Sequence, residues 1–162
     1  MGKLKIITGE NNPILRAVSE PVKKFDGGLR GFVKNLKDIM VAANGLGIAA
    51  PQVGKNIRVF IVTLGFGKED RMSLVMINPQ ILWVSDEMEL GEEGCLSLPG
   101  IYGKVERHKR VKVEFFDVRG SRQELDLTGL DARVVQHEND HINGVLFIDK
   151  MGKGEEKEDL LL

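Results

Sequence analysis

The chain has 162 residues, 42% hydrophobic and 29% charged, with a formal net charge of −1. That length suits one compact domain with its own core, 1–162, in which 150–162 reads as a flexible charged tail. The charge balance excludes the basic excess of a nucleic-acid-binding face, no apolar run approaches the roughly 20 residues that span a bilayer, and a lone cysteine, Cys95, excludes an internal disulfide. The segment from Met1 to Lys5 lacks the apolar core of a signal peptide, so the expectation is a soluble, unexported protein of a reducing compartment.

Leu29, Phe32, Val33, Leu36, Met40 and Ala43 recur at three- and four-residue spacing and predict an amphipathic helix from Gly28 to Ala43. Asp26 is its candidate N-cap and Asn44-Gly45 its stop. The β-branched, apolar run Ile57 to Leu64 predicts a buried strand, with shorter strands at Leu74 to Ile77 and Ile81 to Val84. Glu92 to Gly100 brackets Cys95 with Gly and Pro, which places the thiol on a defined bend rather than inside a regular strand. Val111, Val113 and Phe115 alternate with Lys112, Glu114 and Phe116 in a half-buried strand, and Arg119-Gly120 turns the chain toward Gln123 to Leu127. Leu130, Val134, His137 and His141 form one stripe of a last helix, which Asn143-Gly144 ends. Strands outnumber helices and are joined by turns. The fold class expected is therefore α+β, with antiparallel β-sheets around one central metal-binding helix and a second helix outside, in the N-terminal half.

That last helix contains His137-Glu138-Asn139-Asp140-His141. Histidines four apart lie one above the other on a helix surface, about 6 Å between Cβ atoms, so both rings can reach one metal ion. Glu138 is then placed as general base for a water activated by that metal. The alternative is a polar helix face that happens to hold two histidines, but two of the chain's three histidines fall within these five residues.

Two imidazoles leave a divalent ion short of ligands, so a third donor comes from elsewhere. Cys95 is the strongest candidate, because a nearby dication stabilises its thiolate. His108 is the rival, weakened by its Arg107-His108-Lys109-Arg110 surroundings. A Cys/His/His set leaves a tetrahedral position open, the mark of a catalytic rather than a structural site. Amide hydrolysis follows as the reaction class, and the charge that develops on the carbonyl oxygen calls for donors around it. The Gln52 amide can supply one, and Gly47 lies in a glycine-bearing loop whose backbone can approach a substrate. Gly45 and Gly47 can equally be a helix stop and a turn.

Three segments in order, Gly45-Leu46-Gly47-Ile48-Ala49-Ala50-Pro51-Gln52, Glu93-Gly94-Cys95-Leu96-Ser97 and Gln136-His137-Glu138-Asn139-Asp140-His141, resemble the signature motifs of peptide deformylases. Asn12-Pro13-Ile14-Leu15-Arg16, Pro21-Val22 and Ile77-Asn78-Pro79 extend the likeness over nearly the whole chain to about Asp149. The resemblance implies removal of the formyl group from the N-terminal formyl-methionine of newly made polypeptides, with release of formate. It implies that Cys95, His137 and His141 hold the metal, that Glu138 is the acid/base, and that Gln52 and the backbone N–H of Leu96 stabilise the oxyanion. Gly47 would pair its backbone with an extended substrate. Leu46, Leu130, Arg133 and Val134 would line the methionine pocket, Arg133 through its aliphatic stem rather than its charge. Glu93 and Arg107 would form a supporting ion pair.

By the same resemblance the metal is Fe²⁺, with Ni²⁺, Co²⁺ or Zn²⁺ able to replace it. The substrate would be a nascent N-formyl-methionyl polypeptide near the ribosome, met by a monomer in a bacterial-type cytoplasm, with no direct nucleic-acid or membrane partner. One departure stands out. Many bacterial members continue into a longer C-terminal helix, whereas two glycines and a run of acids from Gly152 to Asp159 make a poor helix, so docking through a basic C-terminal helix is not expected. A general metallopeptidase and a metal-holding domain without turnover are the competing readings; Glu138 and Gln52, which merely holding a metal does not need, argue against the second.

Overall fold

The computed structural model describes residues 3–152 and the backbone of Glu158 and Asp159. A first helix, α1 (Gly27–Ala42), begins where the Asp26 carboxylate accepts the Leu29 N–H at 2.9 Å, and buries Leu29, Phe32, Leu36 and Met40 on one face. Asn44 takes a left-handed φ of 56°, and Gly45 N–H returns to the Met40 carbonyl, closing the helix as the Asn-Gly pair predicts.

Seven antiparallel strands follow: β1 (Gly47–Ala49), β2 (Val59–Leu64), β3 (Met72–Val84), β4 (Met88–Cys95), β5 (Leu98–His108), β6 (Arg110–Phe116) and β7 (Arg122–Thr128). A 3-10 turn over Ala50–Val53 follows β1 and carries Gln52. The second helix, α2 (Leu130–His141), comes next, then a 3-10 turn over Phe147–Lys150 and a two-residue strand β8 (Glu158–Asp159). Five strands form one sheet in the order β1-β2-β3-β6-β7, and three form another in the order β4-β5-β8. This is the expected α+β arrangement, with α2 packed against β1, β2 and β7 of one sheet and β5 of the other.

Strand β2 is buried at every position, which an antiparallel strand shows only when both faces are covered. Its alternate residues part company: Val59 and Ile61 pack with α1, while Phe60, Val62 and Leu64 join Val134, Val135 and Ile142 around α2. The sheet thus stands between the two helices, and α2 has the three-stranded sheet on its other side. Leu15, Leu98, Val105, Leu146 and Phe147 form the core beneath that smaller sheet.

The structure corrects the predicted strands in two places. Leu74 to Ile77 and Ile81 to Val84 belong to the single strand β3, which passes Asn78-Pro79 by a register shift. Asn78 adopts φ 49°, and its side-chain amide exchanges hydrogen bonds with the backbone of Val22, replacing the pairing lost there. The β4–β5 hairpin was not anticipated. Its alternation is broken by glycines whose space is taken by other side chains: Arg133 lies over Gly91, the Tyr102 ring over Gly94 and Met151 over Gly103. The expected tail lies mostly outside the described residues. Within them, Met151 bridges to Val105, and the backbone of Glu158–Asp159 pairs with Tyr102 and Ile101.

Candidate metal centre

Helix α2 is polar in sequence yet largely buried, because its polar groups find partners in the strands around it. Gln136 accepts the His108 N–H at 3.1 Å and donates to the His108 carbonyl at 2.8 Å, and Asp131 caps the Gly65 N–H at 3.0 Å. Ala132, Val134 and Val135 supply the apolar contacts. The helix is thereby fixed with His137 and His141 one turn apart, their rings 5.0 Å between centroids and edge to face. Phe147 stacks on His137 at 6.0 Å.

Cys95 arrives from the opposite sheet. It ends β4 at a register shift after Gly94 and pairs with Leu98, so Leu96 and Ser97 form a two-residue turn directly behind it. The bend expected around the thiol is therefore the tip of a hairpin. Its Sγ lies 3.2 Å from His141 Nε2. One donor atom from each of Cys95, His137 and His141 falls within 4.8 Å of the other two, and no fourth His, Cys, Asp or Glu among the described residues joins the group. His108 is elsewhere, half-buried, its Nδ1 2.7 Å from the Ser85 carbonyl oxygen. Three donors and an open fourth position fit a tetrahedral first-row dication at about 2.0–2.3 Å from each ligand.

Glu93 organises the group. His137 Nδ1–H donates to its Oε1 at 2.8 Å, which leaves the other ring nitrogen as ligand. Arg107 binds the same carboxylate through two hydrogen bonds of 2.9 Å, as expected, and reaches Asp140 at 2.5 Å. Burial by itself raises the Glu93 pKa, but the hydrogen bonds from Arg107 and His137 outweigh it and hold the carboxyl well below its usual range. His137 is penalised by burial and raised by Cys95 and Glu93 to a net value well above the ordinary one; metal binding would displace that proton. Burial, then the charges of His137 and Arg107, push His141 well below its ordinary value and keep it neutral.

Glu138 lies beside this group, 3% exposed, with Oε2 buried and without a protein hydrogen-bond partner. Burial pushes its pKa up to about 7; the charge of a bound dication opposes that rise. Gly47 makes room for it: a Cβ there would stand 2.5 Å from Glu138 Oε1. Gln52 is fully buried. Its Oε1 accepts the Ala49 N–H at 2.9 Å, while Nε2 lies 3.1 Å from Ser97 Oγ and 3.5 Å from Cys95 Sγ, facing the centre.

Strand β1 is the edge of its sheet. Leu46 C=O and the Ile48 pairing face β2, and Ala49 N–H turns away from it toward Gln52, so Gly47, of the same parity as Ala49, presents its N–H and C=O at the open edge. Leu46 and Val134 meet in the core around α2, and Leu130, one turn before Val134, is 44% exposed. The Arg133 charge is engaged away from any methionine pocket: Nη1 donates to Glu93 Oε2 at 2.7 Å. Ser97, Gln136 and Asp140, to which the motifs gave no separate role, are revealed as partners of Gln52, His108 and Arg107; only their place inside the three motifs hints at this.

Across residues 4–157 the chain matches the sequence profile of polypeptide deformylase. A peptide deformylase of Brucella suis biovar 1 (strain 1330) is 46% identical over 142 residues, 88% of this chain and 81% of that one. The crystal structure of peptide deformylase from Thermotoga maritima superposes with a TM-score of 0.86 at 41% identity, covering 94% of this chain and 99% of that one. The Met-Ala-Ser-bound class I type b peptide deformylase from Acinetobacter baumannii gives a TM-score of 0.84 at 39% identity, covering 91% and 98%. With the profile spanning almost the whole chain and relatives this close in sequence and fold, the chain belongs to the polypeptide deformylase family.

Proposed function

We propose that the protein is a metal-dependent peptide deformylase, which hydrolyses the formyl amide of an N-terminal formyl-methionine to give formate and the free amine. The observation that carries this reading is the convergence of Cys95, His137 and His141 within 4.8 Å beside a buried carboxylate, Glu138, with an unpartnered oxygen. A dication bound by the three donors supplies Lewis acidity, making water nucleophilic at neutral pH. Glu138 takes the proton of the attacking water and delivers it to the leaving amine. Gln52 Nε2 and the Leu96 N–H serve as donors to the developing oxyanion; losing one such donor typically costs about 10²-fold or more in rate.

The peptide lies as an added strand on the open edge of β1, hydrogen-bonded to Gly47. Leu46, Leu130, Val134 and the stem of Arg133 receive the methionine side chain. Fe²⁺ is the ion we assign in the cell, with Ni²⁺, Co²⁺ or Zn²⁺ as substitutes, since thiolate and imidazole suit several of them. We place the protein as a monomer in a reducing, bacterial-type cytoplasm, acting on nascent chains near the ribosome; among the described residues no helix is long and apolar enough to cross a membrane.

The test compares formyl-Met, acetyl-Met and internal peptides on protein purified without oxygen, with its metal quantified. A formyl carbon carries only hydrogen, so a tight acyl site excludes acetyl by overpacking. Rapid formate release with little acetate release is expected; equal turnover of the acetylated peptide would overturn the assignment.

A further inference from the structure

Arg133 precedes His137 by one turn of α2, and its side chain runs beneath the β4–β5 hairpin. The residue is 8% exposed. Besides Glu93, Nη1 donates to the Val105 carbonyl at 2.9 Å and Nη2 to the Glu89 carbonyl at 2.6 Å. Val105 belongs to β5 and Glu89 to β4, so one guanidinium ties both arms of the hairpin to the helix. Gly91 admits it: a Cβ at that position would stand 2.8 Å from Arg133 Cζ and 3.0 Å from Nε and Nη2. Gly91 is not among the glycines with positive φ, so its backbone does not demand glycine; the guanidinium does.

The hairpin and the helix carry the two halves of the metal centre, Cys95 on one and both imidazoles on the other. Arg107 to Asp140 and Gln136 to His108 also join hairpin and helix, but both ties start from β5. Apart from the two imidazoles, Arg133 is the α2 side chain among the described residues that hydrogen-bonds β4, the strand that ends in Cys95. It also completes Glu93. With Arg107 and His137 it brings four donated hydrogen bonds to that carboxylate, two on each oxygen.

We propose that Arg133 is a positioning residue, whose buried charge, acting through Glu93 and the β4 backbone, sets Cys95 at metal-binding distance from His137 and His141. The inference builds on the metal centre proposed above and gives Arg133 a task separate from lining a methionine pocket. An apolar residue of similar length keeps the stem and removes the charge, so the two roles part in Arg133→Met.

The test measures metal affinity by chelator competition, the thiolate-to-cobalt charge-transfer band of the Co²⁺ protein, and kcat and KM on metal-saturated enzyme. Arg133→Met is expected to weaken metal affinity about 10-fold, the lower end for a group acting through a ligand's hydrogen-bond partner, and to shift the cobalt band. Gly91→Ala, which displaces the guanidinium while keeping the arginine, should reproduce those changes. Arg133→Lys, which restores a donor to Glu93, should recover most of the affinity and guards against a methionine variant that fails to fold. Wild-type affinity and cobalt band in both Arg133→Met and Gly91→Ala, or a raised KM as the sole change, would overturn the proposal. If the wild-type protein binds metal without deformylating, the functional assignment fails while the affinity and band still decide the role of Arg133.

Discussion

Substituting alanine at Gly47 tests whether the position of the Glu138 carboxylate sets the rate. The added methyl would lie 2.5 Å from Glu138 Oε1 and 2.9 Å from Cδ and Cγ, where ordinary contact begins at 3.4 Å. The carboxylate must therefore retreat by about 0.9 Å, and a misplacement of about 1 Å can cost roughly 10²-fold in rate. Gly47 has no positive φ, so alanine strains nothing else in the backbone; overpacking of this kind costs about 1–3 kcal/mol of stability. Formate release from a formyl-Met peptide should show kcat reduced about 10²-fold, with metal content unchanged because the displaced Glu138 is not one of the three donors. Near-normal kcat in a folded, metal-loaded Gly47→Ala protein would refute the reasoning. A change confined to KM would instead assign Gly47 to substrate pairing alone.

Glu138→Ala should retain metal and lose deformylation; substantial remaining activity would remove Glu138 from the proton path. Cys95→Ser should weaken metal affinity or change metal preference, read by metal analysis after dialysis, and unchanged stoichiometry would mean another group supplies the third donor. The Arg16–Asp149 pair, which joins the two ends of the fold at 2.5 Å, makes a small pH-dependent contribution. Burial raises the Asp149 pKa, but hydrogen bonds from Arg16 and the Leu146 N–H lower it below 3.8 overall. A lowered folded-state pKa stabilises above the unfolded value, and that stabilisation disappears as pH falls below 3.8 through the folded value. Asp149→Asn should accordingly lower stability slightly near neutrality, converge with the unsubstituted protein below the folded-state pKa and so flatten the acid limb of the stability curve, the neutral-pH difference shrinking at high salt because the pair is partly exposed.

What the sequence determined by itself is whatever depends on neighbours a few residues apart. The four-residue spacing of His137 and His141 puts both rings on one helix face, and the apolar spacing from Leu29 to Met40 makes α1 bury that side, wherever those helices end up. Periodicity likewise exposed β2 and β6, because their side chains are uniformly apolar or alternate, and the Arg119-Gly120 turn pointed to β7. The β4–β5 hairpin escaped for a physical reason: its glycines carry no side chain to show a period, and the groups that fill their space come from Arg133, Tyr102 and Met151. Only the tertiary structure decided that the Cys95 sulfur, 46 residues before His141, stands 3.2 Å from its ring. It also decided that the Arg133 guanidinium is spent inside the protein. Distances of that kind are fixed by how two sheets close on one helix; the Glu93–Arg107 pair was expected through the family resemblance alone, and the Arg133–Glu93 bond emerged only once burial gave the guanidinium a partner.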